Sequence, residues 1–403
     1  MHARKRFLVG IVDVVLFLVF PWRLRYFRCR EVLSAKVPRR VLFCRPDHIG
    51  DAFLSMPALE FVRARYPDAH LTVLVASWSE PLFRVAGYHD ELLVCDLPWW
   101  VSKRKARFGP VGTSDSWRAL WHTILALRAR RFDLCIELRG DVRQIVAFGL
   151  LGGASLLLTR RRNGGAALAD AVPKIDERLH ECDQNLALVS ELGPRLTVST
   201  FPMPYAAADR ECVRILLEEM HANLNMRYVV VHPGAKWVNR WPEEAFAELI
   251  KGLGEYPGAL RVLITGVPAE AGLCERLAAA LPGRAYSLAG RLSLTEMAAL
   301  MAVVDLVVMA DTGPMHFLNA FSTPALLLFG PTPACRFAPR GPQITVVSAV
   351  DCCSEDLHEI CSRVGAGTHS ACMAGLLPSE VLRIARATLA DTALSCSSVM
   401  GKN

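Results

Sequence analysis

Residues 305–332 constrain the fold of this chain more than any other stretch, because they fit two strands, a helix and two polar turns into a short segment. Residues 306–309 form an apolar run of strand length between two aspartates, which is typical of a parallel strand buried on both faces. A second apolar run, residues 325–329, follows a helical segment. Strand, helix and strand in this order predict a βαβ unit and therefore a parallel sheet.

The polar turns after these two strands should lie at the edge where open α/β sheets bind ligands. Asp311 or Thr312 is predicted to cap a helix with Pro314 in its first turn. Gly313 lets backbone approach a ligand closely, so the free N–H groups there predict an anion site that fits a phosphate. His316 is predicted to point towards the same pocket, although a capping or core histidine has the same pattern.

The same alternation of strands and helices continues along the chain and indicates two doubly wound domains. A length of 403 residues exceeds one ordinary core, and 52% apolar and 21% charged residues are typical of a globular protein. Gly and Pro residues at 192–205 predict a linker between the domains. For the last predicted helix, near 378–389, packing against the first domain is an open alternative. The predicted parts are a membrane-associating segment at 1–38, domains at 39–200 and 201–392, and a flexible tail at 393–403.

The basic charge of the chain is concentrated in its N-terminal segment. Residues 1–45 hold eleven Lys and Arg against Asp13 and Glu31, a net charge of +9, whereas the whole chain carries +7. The remainder is therefore slightly acidic. This distribution argues against a nucleic-acid-binding protein and favours a basic tail that meets an acidic surface.

The N-terminal segment also contains an apolar run of fourteen residues, 7–20, between basic flanks. As a helix it would span about 21 Å at roughly 1.5 Å per residue, short of the roughly 30 Å hydrocarbon core of a bilayer. A signal peptide is disfavoured, because Pro21, Trp22 and Arg23 offer no small-residue cleavage site. We expect a cytoplasmic protein bound peripherally to the inner membrane, with a buried N-terminal helix as the open alternative.

Thirteen cysteines without a convincing export signal predict reduced cytosolic thiols. Four of them alternate with two histidines near the C-terminus: Cys352, Cys353, His358, Cys361, His369 and Cys372. Their spacing matches no standard zinc finger, so a loop of unbonded thiols or an occasional disulfide is favoured over a structural zinc site. We predict no metal and no cofactor.

Several short motifs follow one another along residues 40–390. They are Arg45-x-Asp47-x-Ile49-Gly50-Asp51, Pro57-Ala58-Leu59, Tyr66-Pro67-Asp68-Ala69, Phe132-Asp133-Leu134 leading to Gly140, His232-Pro233-Gly234, Trp241-Pro242, Asp311-Thr312-Gly313-Pro314-x-His316 and Phe329-Gly330-Pro331-Thr332. In this order and spacing the set resembles glycosyltransferase family nine, the ADP-heptose:lipopolysaccharide heptosyltransferases.

The resemblance implies an α/β GT-B fold, in which two doubly wound Rossmann-like domains face a cleft. It also implies an ADP-sugar donor held by the C-terminal domain, a lipopolysaccharide-type lipid acceptor held by the N-terminal domain, and metal-independent transfer with inversion. A glycosyltransferase of the same fold that acts on another sugar or glycan is an open alternative. A sugar-nucleotide epimerase of the same fold would not need the basic tail, and a non-catalytic nucleotide-sugar-binding protein would not require Asp51.

Asp51 is, by resemblance, the base that takes the proton of the acceptor hydroxyl. Spacing alone fits equally well an N-cap of a helix that begins at Ala52. An inner-core acceptor is polyanionic, so its side of the site needs cations, and three arginines lie at or just past strand ends of the first domain: Arg45, Arg139 and Arg143.

Arg143 lies in the first turn of a predicted helix, where the helix dipole does not favour a cation. A role against an anionic ligand accounts for this position. A pair with Asp141 or Glu137 accounts for it equally well.

In the second domain the resemblance assigns the donor diphosphate to the turn at Gly313 and the ribose hydroxyls to Glu270. The alternative for Glu270 is an acid that is favoured near a helix N-terminus. The complete set predicted to bind the donor is Gly234, Lys236, Arg240, Glu270, Leu292, Asp311, Thr312, Gly313 and His316.

One position departs from the family pattern. The heptosyltransferases usually carry a Lys one or two places before the Trp-Pro, where it is thought to meet the donor phosphates, and this chain has Asn239 and Arg240 there. Arg240 or Lys236 is the expected replacement. Arg binds phosphate with a different geometry from Lys. The sequence therefore does not predict which sugar the donor carries.

Overall fold

The structure is a computed structural model, and it describes residues 37–100, 113–194, 201–220, 226–236, 239–348 and 371–400, with side chains described as far as 391. The chain divides into two compact units, Met1–Pro202 and Met203–Asn403. The stretches outside the described residues include the predicted membrane-associating segment except its last two residues, the residues 101–112, and the cysteine-rich stretch at 349–370. No helix in the described parts of the chain combines the length and the apolarity needed to cross a bilayer.

The first unit is built on a parallel sheet with the strand order β3-β2-β1-β4-β5. Its elements in chain order are β1 (Arg40–Arg45), α1 (Ile49–Phe53), α2 (Met56–Arg65), β2 (His70–Val75), α3 (Glu80–Ala86), β3 (Glu91–Val94), α4 (Thr113–Arg130), β4 (Leu134–Glu137), α5 (Val142–Gln144) continued by a π-helix (Ile145–Leu151), β5 (Leu156–Thr159), a 3-10 turn (Ala166–Leu168) and α6 (Glu181–Val189) continued by a 3-10 turn (Ser190–Leu192). The chain reverses its direction across the sheet between β3 and β4, so the switch point lies between β1 and β4.

The central strands are buried because helices cover the sheet, as the apolar runs predict. Five of the six residues of β1 and all four residues of β4 are buried. In the parallel register Val41 lies opposite Leu71 of β2 and Leu134 of β4. This arrangement confirms the predicted parallel sheet.

The sequence does not predict β5 or α6. β5 is only four residues long and follows a pair of glycines, so it shows no periodicity of its own. It becomes a strand because Glu137 and its neighbours in β4 pair with it, with Thr159 opposite Glu137.

The second unit is built on a parallel sheet with the strand order β11-β10-β9-β6-β7-β8. Its elements are α7 (Ala207–Glu219), β6 (Arg227–His232), α8 (Glu243–Leu253), β7 (Leu260–Ile264), a 3-10 turn (Pro268–Glu270), α9 (Ala271–Ala278), β8 (Ala285–Ser287), α10 (Leu294–Val303), β9 (Leu306–Ala310), a 3-10 helix (Gly313–Ala320), β10 (Ala325–Phe329), α11 (Ala334–Phe337), β11 (Ile344–Ser348), α12 (Ala371–Ala374) and α13 (Pro378–Met400).

Residues 305–332 form a strand, a helix and a strand as predicted, with β9 and β10 paired in parallel. The helix between them is a 3-10 helix and not an α-helix, and the length of the strands explains why. A crossover must travel back along a five-residue strand, which is about 16 Å at 3.3 Å per residue. Eight residues cover about 16 Å as a 3-10 helix at 2.0 Å per residue, but only about 12 Å as an α-helix.

The part of the last helix, α13, whose side chains are described packs against other elements of the second unit. The phenol of Tyr256 donates to the backbone oxygen of Leu389 at 3.4 Å, and the indole N–H of Trp241 donates to Leu376, just before the helix, at 3.0 Å. Gly252 of α8 lies so close to Leu382 that a larger residue would require the leucine to move. These contacts place α13 against α8.

The turn after β4 depends on a glycine. Gly140 has a φ of +67°, its N–H donates to the buried carboxylate of Glu137 at 2.7 Å, and its carbonyl accepts from the N–H of Asn163 at 2.7 Å. A Cβ at this position would overlap the carbonyl oxygen of Arg160 and lie 3.1 Å from the Cβ of Arg162. Glycine is therefore needed here for its conformation and for its small size.

We expect Gly140→Ala to lower the free energy of unfolding of the first unit by about 3 kcal/mol, because left-handed backbone strain and overlap with Arg160 add together. Gly87→Ala is the matched control, since Gly87 has a φ of +68° and its nearest neighbour would lie 4.0 Å from the added carbon. It should cost only about 1 kcal/mol. Denaturant unfolding followed by Trp fluorescence reports mainly on this unit, because six of the eight tryptophans belong to it. Equal losses in the two variants would contradict the overlap.

Candidate functional site

Parallel strands bring distant residues to one edge of the first sheet. β1, β4 and β5 are neighbours, and their last residues are Arg45, Glu137 and Thr159. Because the carboxyl ends of parallel strands lie at the same edge, the loops that follow these strands meet there. All three predicted acceptor arginines belong to one ion-pair network at this edge, in which Asp47 connects Arg45 to Arg139 and Asp141 connects Arg139 to Arg143.

Arg45 lies at the centre of this edge, with a side chain that is only 1% exposed. Its Nε donates to the backbone oxygen of Asp51 at 3.1 Å, and its Nη2 donates to the Asp51 carboxylate at 3.5 Å. Nη2 also lies 3.6 Å from Glu181, and Nη1 lies 3.9 Å from Asp47. Arg45 therefore joins β1 to α1 and to α6 through three carboxylates.

Asp51 lies inside α1, so the alternative that it caps a helix beginning at Ala52 is wrong. The helix begins at Ile49, His48 is the N-cap residue, and Asp51 is an acid in the first helical turn. Its side chain is 25% exposed. Since Arg45 holds both its backbone oxygen and a carboxylate oxygen, the Asp51 carboxylate has a fixed position and still reaches solvent.

Asp47 and Arg139 form a second ion pair at this edge. Burial alone would raise the pKa of the Asp47 carboxyl, but the guanidiniums of Arg139 and Arg45 outweigh burial and lower this pKa to about 2. Asp47 is thus an anion throughout the neutral range. The guanidinium of Arg139 also lies 4.5 Å over the ring of Trp100, so two contacts fix its orientation.

Arg143 pairs with Asp141, one of the two alternatives that the sequence left open. Its Nε and Nη2 donate to the two carboxylate oxygens at 2.9 and 2.6 Å, and its backbone N–H donates to the same carboxylate at 3.0 Å, which caps α5. The guanidinium lies 4.7 Å over the ring of Trp99. The Arg143 side chain is 47% exposed, so a role against an acceptor stays a prediction.

One part of this edge is not predicted from the sequence, namely the buried Glu181 with Arg160, also buried, and the partly exposed Arg162. Glu181 is fully buried at the start of α6, pairs with Arg160, and lies 3.3 Å from Nη1 of Arg162. Burial opposes the charge of Glu181, but Arg160, Arg162 and Arg45 together hold the pKa of this carboxyl well below its usual range. The three consecutive arginines after β5 were a signal, but the acid that pairs with Arg160 and Arg162 lies 21 and 19 residues away, in an element that the sequence does not predict.

The second sheet gathers its loops in the same way, at the ends of the adjacent strands β10, β9, β6 and β7. His232 ends β6, and its Nδ1 lies 3.0 Å from the hydroxyl of Thr265, which follows β7. Asn239 donates to the carboxylate of Asp311, after β9, at 2.7 Å, and accepts from the hydroxyl of Thr332, after β10, at 3.2 Å. Side-chain hydrogen bonds therefore connect the loops of neighbouring strands.

The loop after β6 has Asn239 and Arg240 at the two positions where the family pattern usually places a lysine. Asn239 is buried, and both ends of its amide are used in the contacts to Asp311 and Thr332. Arg240 is partly buried, with Nη2 3.4 Å from the backbone oxygen of Ala235, whereas Lys236 is exposed. The two cations predicted to replace the lysine thus lie on either side of Asn239 in the same loop, one partly buried and the other exposed.

The turn after β9 differs in two respects from its prediction. Thr312 occupies the N-cap position but its side chain makes no capping hydrogen bond, and the Asp311 carboxylate accepts from Asn239. The N–H of Met315 donates to the backbone oxygen of Thr312 at 3.2 Å, and Pro314 has no N–H. The predicted anion site therefore reduces to the N–H groups of Thr312 and Gly313, beside the buried His316 of the same helix.

Glu270 ends the 3-10 turn after β7 and lies against Gly234. A Cβ on Gly234 would lie 2.6 and 3.0 Å from the two carboxylate oxygens of Glu270 and 3.0 Å from Nε2 of His232. Glycine is therefore required at 234 for this close approach. The loop after β8 joins the same edge, because the N–H of Gly290 donates to the backbone oxygen of Gly266 at 2.9 Å, and the half-buried Leu292 follows it.

The described residues contain no group of three His, Cys, Asp or Glu side chains that could hold a metal ion. Cys372 is described and buried. The remaining members of the cysteine and histidine group lie outside the described residues: Cys352, Cys353, His358, Cys361 and His369.

Comparison with known proteins identifies the relatives of this chain. The profile of glycosyltransferase family 9 (heptosyltransferase) matches residues 117–365. The lipopolysaccharide heptosyltransferase 3 of Escherichia coli is 25% identical over 292 residues, which is 70% of this chain and 81% of the relative.

Two solved structures share the fold of this chain. The ADP-heptose lps heptosyltransferase II of E. coli aligns with a TM-score of 0.67 and 20% identity, over 88% of this chain and 99% of its own. A glycosyl transferase family 9 protein of Veillonella parvula aligns with a TM-score of 0.71 and 19% identity, over 88% of this chain and 98% of its own. The two parallel α/β sheets therefore form the GT-B fold, as the resemblance implies.

The ion pairs of Asp47 predict an acid-dependent stability. Its pKa falls from an ordinary 3.8 to about 2 on folding, so its charge stabilises the native state above pH 4, and this contribution is lost as the pH falls towards 2. The free energy of unfolding of the native chain should exceed that of Asp47→Asn by an amount that shrinks by about 2 kcal/mol between pH 5 and pH 2. Urea unfolding at each pH measures it. Asp68→Asn, at an exposed turn, is the control, and a difference that stays constant with pH would refute the assignment.

Proposed function

The chain belongs to glycosyltransferase family 9, and from that membership we propose that it transfers a heptose, or a related sugar, from an ADP-sugar to a lipopolysaccharide inner-core acceptor. The relatives named above support this proposal, since their names specify heptose transfer and lipopolysaccharide. We propose further that transfer proceeds with inversion and without a metal ion.

The observation that carries the proposal is the environment of Asp51. A general base must have a carboxylate that is fixed and also reachable by the acceptor hydroxyl. Arg45 fixes Asp51 through the backbone oxygen and one carboxylate oxygen, and a quarter of the side chain remains exposed. The position at the carboxyl edge of the first sheet is where ligands bind in this class of fold.

The reaction follows from this assignment. Asp51 takes the proton of the acceptor hydroxyl as the oxygen forms a bond to the anomeric carbon of the sugar. The bond from that carbon to the donor phosphate breaks on the opposite face, so the configuration inverts and the electron pair leaves with the diphosphate. Hydrogen-bond donors and cations that face the diphosphate stabilise its developing charge.

The second domain supplies groups suited to the donor. The N–H groups of Thr312 and Gly313 are suited to a diphosphate oxygen, and Arg240 or Lys236 supplies the positive charge that Asn239 lacks. The carboxylate of Glu270 is suited to accept from the two ribose hydroxyls. Gly234, Leu292, Asp311 and His316 complete the proposed donor site.

Arg143 is the strongest of the proposed acceptor arginines. Arg45 is buried among carboxylates and the Arg139 side chain is 20% exposed, whereas Arg143 is 47% exposed. Its contacts with Asp141 and Trp99 hold it in one orientation, which favours recognition of an anionic group on a saccharide.

We also place the protein at the cytoplasmic face of the inner membrane. The net charge of +9 in residues 1–45 is suited to anionic lipids, and the apolar run at 7–20 is suited to the interfacial layer. A lipid-linked acceptor would be presented at the same surface.

The reaction is tested by incubating the protein with ADP-heptose and a truncated lipid acceptor and weighing the products. Transfer adds one sugar to the acceptor, an epimerase changes only the sugar nucleotide without changing its mass, and a binding protein changes neither. An acceptor of unchanged mass would refute the proposed activity.

Asp51→Asn should lower kcat by about 10² to 10⁴ while ADP and acceptor still bind, because the amide has no lone pair basic enough to take the proton. Single-turnover kinetics with ADP-heptose measure the chemical step. Asp68→Asn, in the same domain, should leave it unchanged. A loss that appears only as a raised KM would assign Asp51 to binding instead.

Glu270→Ala should weaken the binding of ADP by about 1–3 kcal/mol, the usual cost of losing a charged hydrogen-bond partner. Isothermal titration calorimetry measures this change directly. Glu275→Ala removes an exposed acid from α9 and is the matched control. Unchanged affinity for ADP in Glu270→Ala would show that the ribose binds elsewhere.

A further inference from the structure

Helix α4 of the first domain carries an exposed apolar stripe. Trp117, Trp121 and Leu125 are 59%, 55% and 47% exposed. A spacing of four residues places all three on one side of the helix. We call these three residues the α4 stripe.

The α4 stripe is not the side by which the helix joins the core. Leu120, Ile124 and Leu127 lie on the adjoining arc of the helix and are buried against the first sheet. The apolar surface of the helix therefore extends past its buried face onto an exposed margin. Three large apolar side chains on one exposed helical face mark an interaction surface, whereas single ones are normal on a protein.

Cations accompany the α4 stripe. Arg118 and Arg128 of the same helix are exposed, and Asp115 is the acidic residue near its start. Four further cations at 103–107, which lie outside the described residues, precede the helix in the sequence. Tryptophan beside arginine is the composition of a surface that meets the headgroups of a bilayer, where the indole ring lies at the interface and the cation binds anionic lipid.

Contacts connect the α4 stripe to the candidate acceptor site. The ring of Trp117 lies 6.3 Å from that of Trp99 in an edge-to-face contact. The guanidinium of Arg143 lies 4.7 Å over the other ring of this pair, Trp99. Two contacts thus separate the exposed stripe from the proposed acceptor arginine.

We propose that the α4 stripe is the surface by which the first domain rests on an anionic lipid bilayer, so that a lipid-linked acceptor reaches Arg143 along the membrane plane. The second part rests on the proposed function, whereas the docking surface does not. The α4 stripe lies within the described residues and is distinct from the predicted N-terminal segment.

A bilayer suits the α4 stripe better than a second copy of the chain. A stable subunit interface buries about 800 Å² per partner and involves about 20–30 residues on each side. Three side chains along one helix, flanked by exposed arginines, form a much narrower surface. A bilayer accepts a narrow stripe because the apolar side chains enter the interfacial layer one by one.

The test uses the full-length chain and vesicles of phosphatidylcholine with and without phosphatidylglycerol. The variant combines Trp117→Gln, Trp121→Gln and Leu125→Gln. Its partition coefficient into vesicles that contain phosphatidylglycerol should fall by about tenfold or more relative to the native chain. Because all three side chains are largely exposed, the variant should stay folded, and its thermal unfolding temperature should fall by no more than the loss of the Trp117–Trp99 contact accounts for.

A matched control variant combines Ile215→Gln, Val303→Gln and Leu377→Gln, which replace exposed apolar residues of the second domain. This variant should bind the vesicles as the native chain does. Equal binding by the native chain and the stripe variant, or an equal loss in the control variant, would overturn the proposal. A native chain that is oligomeric without vesicles, with a monomeric stripe variant, would assign the stripe to a subunit contact instead.

A second measurement separates this proposal from the proposed function. With the acceptor embedded in vesicles, the stripe variant should show a raised acceptor KM, and with a water-soluble saccharide fragment it should match the native chain. A native chain that transfers no sugar to either acceptor refutes the proposed function, yet the vesicle partition still decides the docking surface. A stripe variant with equally raised KM values for both acceptors would show that the stripe acts within the acceptor site and not on a membrane.

Discussion

The first domain depends on a buried guanidinium, that of Arg45. Taking a charge out of water costs several kcal/mol unless partners replace the lost hydration. Three carboxylates compensate the charge of Arg45, those of Asp51, Asp47 and Glu181, which come from a helix, a loop and a distant helix. The arrangement gives Asp51 a fixed place at the sheet edge without a capping role. A carboxylate held in this way keeps its geometry while a quarter of the side chain remains exposed to solvent.

At the corresponding edge of the second domain the loops are joined by hydrogen bonds in which an amide, two hydroxyls and an imidazole accompany one carboxylate, that of Asp311. Asn239 connects Asp311 to Thr332, and His232 meets Thr265, so the loops after neighbouring strands are joined by hydrogen bonds. This difference fits the division of labour in the proposed reaction. A diphosphate brings its own negative charge and favours a site of N–H groups with few acids. An acceptor site that contains a general base must instead hold a carboxylate, and arginines around it balance that charge.

The α4 stripe and the Asn239 amide each bear on a proposal made above. The stripe bears on the proposed membrane contact, and the amide bears on the proposed donor site. The amide holds the loop after β6 against the turns after β9 and β10, so the nearest positive charges in that loop come from Arg240 and Lys236. A guanidinium reaches a phosphate with two parallel hydrogen bonds, whereas a lysine offers a compact charge.

The sequence by itself predicted the two parallel sheets and the motifs at the strand ends, but it did not predict β5. Residues 306–309 and 325–329 predicted β9 and β10, and the ordered motifs identified the family, because local apolar runs and turn residues carry these signals. Only the tertiary structure decided that Asp51 lies inside α1, that Arg143 takes Asp141 as its partner, and that Glu181 completes the site through α6. Each of these depends on which strands become neighbours. The order β2-β1-β4-β5 brings Arg45 and Arg160 to one buried acid, and no local pattern in a linear sequence specifies that meeting.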